Sequence, residues 1–246
     1  MTGPSSHPAA AQLDRRRSVV VLVSGSGTLL QALLDDVGAA TPGSTGTPPP
    51  APYRVAGVVS DRPDALALQR ARDAGVPTAV VRLSEFADRA TWDQALTRAV
   101  EAFRPELVVL AGFMRLLGPA FLAGFGGRTL NCHPALLPAF PGAHAVRDAL
   151  AYGVKVTGAS VILVDDGVDT GPVVAQRAVP VVDGDDEATL HERIKVTERL
   201  LLVDAVRALG DGWTVTGRTV HLPPRTAASH PAEPKPAAPS DGEASP

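Results

Sequence analysis

The chain carries a single cysteine, Cys132, in 246 residues. No intramolecular disulfide is possible and no sulfur-based metal cage can be assembled, which fits a reducing, cytoplasmic setting. Long apolar runs are also lacking. The stretch that follows the basic Arg15-Arg16-Arg17 run extends only from Val19 to Val23, too short for a signal-peptide core. Leu107 to Met114 falls far below the ~20 residues that a membrane-spanning helix needs. Nor is there an excess of positive charge: 23 Lys and Arg stand against 26 Asp and Glu, for a formal −3. A nucleic-acid partner held by bulk electrostatics is therefore disfavoured, and only local positive sites need explaining.

What is present is the composition of a globular protein, 45 % hydrophobic and 20 % charged, on a chain long enough to bury a core of ordinary size. Fourteen of the 23 prolines fall in three segments: before Ser18, between Gly38 and Pro52, and from Pro223 onward. These read as flexible trimmings, an extension over 1–17, a loop over 38–52 and a tail over 223–246, around one domain spanning 18–222. Within it, apolar β-branched runs (SVVVLV, YRVAGVV, VPTAVV, ELVVLA, RTLN, VTGASVILV) alternate with helical patterns over Thr28–Asp36, Pro63–Ala74, Thr91–Phe103, His144–Tyr152 and Asp186–Leu209. That alternation predicts an α/β fold, a mainly parallel twisted sheet with helices on both faces. WTVTGRTVHL near the end predicts a short hairpin around Thr216-Gly217. In open sheets of this kind ligands bind beyond the carboxyl ends of the strands.

Directly after the first strand comes Ser24-Gly25-Ser26-Gly27-Thr28 and then a helix. Two glycines let the backbone turn sharply while its N–H groups, with the helix N-terminus, face an anion such as a phosphate. The spacing is neither the dinucleotide fingerprint nor a Walker A loop, so nicotinamide and ATP binding lose support. A strand-to-helix turn that binds nothing has the same residues.

The strand Arg128–Asn131 runs into Asn131-Cys132-His133-Pro134, and Asp165-Asp166-Gly167-Val168-Asp169 follows a later strand. Side chains alternate along a strand, so Asn131 and His133 point the same way and reach one reacting atom. An amide donor, an imidazole and a carboxylate suit acyl transfer to an amine without a covalent intermediate: Asn and a protonated His stabilise the tetrahedral oxyanion, and a carboxylate favours the charged His and helps relay the amine's proton. Other readings of single residues stand beside this one. A His at a strand end is often structural, Asp165 and Asp166 suit a solvated turn, and Cys132, turned to the opposite face, reads as core rather than nucleophile. His144, His191 and His221 are not spaced as a metal set.

Taken together, SGSGTLLQALL, LAGFMRLL, NCHPALLPAFPGAH, GASVILVDDGVDTGPVV and ERIKVTERLLL resemble, in order and over about Val19 to Leu209, the phosphoribosylglycinamide formyltransferase family, folate-dependent transformylases of purine synthesis with a Rossmann-like fold. The resemblance implies transfer of the formyl group of 10-formyltetrahydrofolate to the amine of glycinamide ribonucleotide, with no metal and no membrane, by a monomer or homodimer. It implies His133 as the catalytic histidine, Asn131 as the oxyanion-side asparagine, and Asp169 as the histidine's partner, singled out over Asp165 and Asp166. It implies Gly27, Thr28 and Leu29 at the acceptor's phosphate, with Lys195 adding a cation and Glu198 accepting from ribose hydroxyls. On the folate side it implies Arg89, Met114, Arg115, Leu116, Leu117, Asn131, Val164 and Asp166. One departure is Leu29, where the family commonly has Asn, so a side-chain bond to phosphate is lost and a backbone N–H remains. A relative with the same catalytic segment could act on methionyl-tRNA, a nucleotide sugar or water; the tRNA enzyme is expected to carry an extra basic C-terminal domain and the water-using one an extra N-terminal domain. A non-catalytic nucleotide-binding module on the same sheet would lack formyl transfer.

Overall fold

Strand β1 (Arg17–Val23) is apolar without alternation because it lies at the centre of a parallel sheet, where both faces are covered. The computed structural model describes residues 16–39 and 49–222. The extension over 1–15, most of the predicted 38–52 loop and the 223–246 tail lie outside the described residues. On one side β1 pairs with β2 (Tyr53–Ser60), which pairs with β3 (Thr78–Val80); on the other it pairs with β4 (Leu107–Leu110), then β5 (Thr129–His133), all parallel. Two antiparallel strands complete the seven, β6 (Val156–Leu163) against β5 and β7 (Val173–Pro180) against β6.

Alternate residues of β1 feed two cores. Val19, Val21 and Val23 face α1 (Thr28–Gly38), α2 (Leu66–Asp73) and α6 (Glu187–Gly210) through Leu30, Leu33, Leu68, Ile194 and Leu202. Val20 and Leu22 face α3 (Arg89–Glu101) and α4 (Pro119–Phe125) through Trp92, Leu96, Phe121 and Phe125. The expected α/β fold, a mainly parallel sheet with helices on both faces, is thus present, with two antiparallel strands added. A fifth helix, α5 (Ala145–Tyr152), leans on α6, and the predicted hairpin forms as β8 (Thr214–Thr216) and β9 (Thr219–His221). No helix among the described residues is long and apolar enough to cross a membrane.

The departures from the sequence reading have local causes. The second helix starts at Leu66 rather than Pro63: a turn closed by the Ala65 N–H onto the Arg62 carbonyl (3.4 Å) precedes it, and Ala65 is extended. The third begins at Arg89, two residues early, under a capping box in which Asp88 accepts from the Thr91 N–H at 2.8 Å. The third strand shrinks to Thr78–Val80, while the Arg128–Asn131 run extends to His133. Strand β7, helix α4 and a 3-10 turn over Leu83–Glu85 lie outside the sequence expectation. A tertiary contact supports α4: Asp93, buried on α3, accepts from the N–H groups of Gly118, Ala120 and Phe121 at 2.7–3.1 Å. Pro119 at the helix start has no N–H to satisfy.

Candidate active site

Along β5 the side chains of Asn131 and His133 project to the α3 side, while Cys132 turns toward the core shared with α6. The carboxylate they meet comes from Asp169. Its Oδ1 accepts from Asn131 Nδ2 at 3.2 Å, and its Oδ2 lies 3.4 Å from His133 Nδ1 and accepts from the Gly142 N–H at 2.8 Å. The other ring nitrogen of His133, Nε2, is 2.8 Å from the Phe140 carbonyl. Side-chain exposure of 5 % for His133 and 12 % for Asp169 leaves little water to screen the pair. Since β6 runs antiparallel to β5, its exit loop starts low on the sheet, with Val164 N–H on the Thr129 carbonyl. Asp169 therefore reaches Asn131 and His133 from the side, and it does so in the left-handed region, φ 55°, uncommon for a residue with a Cβ. Asp165 accepts from the Gly167 N–H and the Thr170 hydroxyl, holding the turn, and Asp166 is exposed.

The segment after His133 is held by residues that the sequence reading did not single out. Ser160 on β6 donates to the Ala135 carbonyl (2.7 Å) and accepts from the Leu137 N–H (3.0 Å), and Gln176 on β7 donates to the Leu137 carbonyl and to Ser160 Oγ. Ser160, polar in the apolar run GASVILV, was the one available signal. Gly142 and Phe140 act through backbone atoms, which carry no side-chain signature.

At the end of β1, Gly27 caps α1 in the left-handed region, φ 74°. A Cβ there would lie 2.6 Å from that of Ala67, so α2 seats against this turn and only glycine fits. No side chain caps α1 and its first turn holds no acidic residue, which leaves the N–H groups of Thr28 and Leu29 directed at the sheet edge. Gly27, Thr28 and Leu29 form this turn and the start of α1. On α6, which packs against α1 and β5, Lys195 pairs with Glu192 at 2.7 Å. One turn on, Glu198 is 6 % exposed and faces the Cys132 thiol; burial raises both its carboxyl and that thiol. A thiol so shifted is a poor nucleophile.

The loop after β4 gathers most of the folate-side positions. Met114 and Leu116 are exposed, 78 % and 62 %, while Leu117 and Val164 pack on the α3-side core. Arg89 reaches this loop, its guanidinium over the Trp92 ring at 5.5 Å and donating to the Leu116 carbonyl. Arg115 pairs with Asp61, Nε to Oδ2, at 2.8 Å.

Comparison with known proteins places the chain in a family. A family described as formyl transferase matches residues 17–206. The chain is 60 % identical to a phosphoribosylglycinamide formyltransferase of Mycobacterium tuberculosis over 83 % of its own length and 90 % of the relative's. It is 41 % identical to the Escherichia coli protein of the same name over 82 % and 88 %. A crystal structure of glycinamide ribonucleotide transformylase 1 from Symbiobacterium toebii superposes with a TM-score of 0.79 at 41 % identity, covering 89 % of this chain and 99 % of that one. From the glycine turn after β1 through the Asn-His-Asp cluster to α6, the chain belongs to the formyl transferase family.

Proposed function

We propose that this enzyme transfers the formyl group of 10-formyltetrahydrofolate to the amine of 5'-phosphoribosylglycinamide, a formyl-transfer step of purine synthesis in the cytoplasm. The single observation that carries the reading is the convergence of Asn131 and His133 on Asp169, each within 3.4 Å of its carboxylate, on a chain 60 % identical to a phosphoribosylglycinamide formyltransferase.

The acceptor's phosphate is held by the N–H groups of Gly27, Thr28 and Leu29 at the uncapped start of α1, with the Lys195 cation nearby on α6. Leu29 contributes its backbone only. Glu198 accepts from the ribose, an interaction strengthened by the low dielectric around it. The donor lies along Arg89, Met114, Arg115, Leu116 and Leu117, with Val164 and Asp166 on its other side.

The amine nitrogen attacks the formyl carbon, a C–N bond forms, and the carbonyl oxygen takes the electron pair. Both ring nitrogens of His133 face oxygen acceptors, an arrangement fully satisfied only when the ring carries two protons and a positive charge. That charge opposes the developing oxyanion once the weaker contact to the Phe140 carbonyl is exchanged for it. Asn131 spends one N–H on Asp169 and keeps the other to donate. Collapse breaks the bond to N10 of the folate, and the proton leaving the amine passes to that nitrogen with Asp169 as relay.

A single-turnover assay with 10-formyltetrahydrofolate and the glycinamide acceptor tests this directly. Thermal shift adds a binding readout: the acceptor and a folate analogue stabilise the protein and NAD does not. Absence of transfer, or stabilisation by NAD alone, removes the proposal.

A further inference from the structure

Asp61 directly follows β2, three strands away from the β5 residues of the Asn-His-Asp cluster, and no motif in the sequence marks it. It is 6 % exposed, yet ionised carboxylates are seldom buried unless each oxygen is satisfied. Here each oxygen serves a different loop. Oδ1 accepts from the Ser24 hydroxyl at 2.6 Å, and Oδ2 accepts from Arg115 Nε at 2.8 Å. Ser24, its proton committed to the carboxylate, accepts in turn from the Met114 N–H at 3.0 Å. Ser24 opens the phosphate-facing turn, and Met114 and Arg115 belong to the loop after β4. One buried side chain thus fixes the backbone of the latter loop through Ser24 and its guanidinium directly. Arg115 engages Asp61 through Nε and also lines a depression of about 400 Å³ shared with Arg62, Arg82 and Ser84.

We propose that Asp61 is a positioning residue for the donor: it holds Arg115 and Met114 in the pose that receives the folate and ties that pose to the start of the acceptor's turn. The inference rests on the proposed function, since it takes the loop after β4 as the donor's. Asparagine at this position keeps the shape but carries one acceptor oxygen and one donor N–H₂ group, so it serves Ser24 or Arg115 and not both. A double-mutant cycle tests the link because Asp61 is argued to act through Arg115.

Asp61→Asn, Arg115→Met and the double variant are compared with wild type by steady-state kinetics, varying donor and acceptor separately. Asp61→Asn is expected to raise the donor KM by about 10-fold with kcat within about two-fold of wild type, as for loss of binding that is uniform between ground and transition states. The double variant is expected to match Arg115→Met alone. A merely structural role would lower kcat and weaken both substrates together. A donor KM within two-fold of wild type in Asp61→Asn, or effects of the two substitutions that multiply, overturns the proposal. Should Asp61→Asn fail to fold, Ser24→Ala, which keeps the carboxylate and its Arg115 partner, carries the test: a raised donor KM with kcat kept supports the strut, and an unchanged donor KM overturns it. Wild-type transfer measured on the same preparation separates failure of this inference from failure of the functional reading.

Discussion

His133 and Asp169 face each other at 3.4 Å, a distance of charge attraction rather than of a tight hydrogen bond, because the Asp169 oxygen concerned is already claimed by the Gly142 N–H at 2.8 Å. The carboxylate is thereby anchored by backbone and by Asn131, and the imidazole is held from its other side by the Phe140 carbonyl at 2.8 Å.

Removal of either partner is expected to stop chemistry while sparing the fold. His133→Ala or Asp169→Asn should lower turnover by roughly 10²–10⁴, the range for a general acid–base or oxyanion-stabilising group, with acceptor affinity by calorimetry near that of wild type. Turnover like that of wild type in either variant removes the assignment.

Glu198 is expected to trade stability for function. Burial raises its carboxyl above the ordinary value, so the folded state binds its proton more tightly than the unfolded chain does. The cost of ionising it is absent below pH ~4.3, the unfolded value, and grows as pH rises from there toward the folded value. Glu198→Gln should therefore melt higher than wild type at pH 7.5, with the gap closing by pH 4, while the acceptor KM rises about 10-fold for want of a charged acceptor. A melting temperature no higher than that of wild type at pH 7.5 contradicts the first half, and an unchanged acceptor KM the second.

The opposite sign holds for Asp185. Two hydrogen bonds from Arg193, both 2.7 Å, with help from the Val182 N–H, pull its carboxyl down to about 2. Its contribution is present in full above the unfolded value of ~3.9 and disappears as pH falls toward 2. Urea midpoints of Asp185→Asn should lie below wild type at pH 6 and converge with it near pH 2; a gap that widens in acid would refute the linkage.

Thr157, on β6, is 1 % exposed and its hydroxyl has no partner among the described residues. Thr157→Val deletes an unsatisfied buried oxygen at nearly constant shape and should stabilise the protein by about 1 kcal/mol, read from the urea midpoint. Destabilisation would mean that the hydroxyl is satisfied in solution.

Legibility in the sequence followed periodicity. Asn131 and His133 could be placed on one face because a strand alternates, and β1, β2 and β4 announced themselves as apolar runs. Asp169 could not be chosen over its neighbours by pattern: what distinguishes it is a left-handed backbone angle and a lateral approach from an antiparallel strand. Strand β7 escaped because VVAQRAVP is polar at its centre and half-exposed at the sheet edge, and α4 because PAFLAGF is seven residues long and stabilised from another helix by Asp93. Asp61, Ser160 and Gln176 bond mostly to backbone or to residues distant in the chain, which no local spacing records.

The Asp93 cap has a counterpart at two other helices, where Asp88 and Asp186 fill the first amides of α3 and α6. At those three ends an incoming dianion would have to evict a resident carboxylate, whereas α1 offers its amides with no such tenant. Helix α2 also starts without a side-chain cap, but its Ala67 and Leu68 amides already bond to the carbonyls of Gly25 and Ala65, so under the proposed function the occupied helix ends steer the acceptor's phosphate as much as the open amides of α1 do.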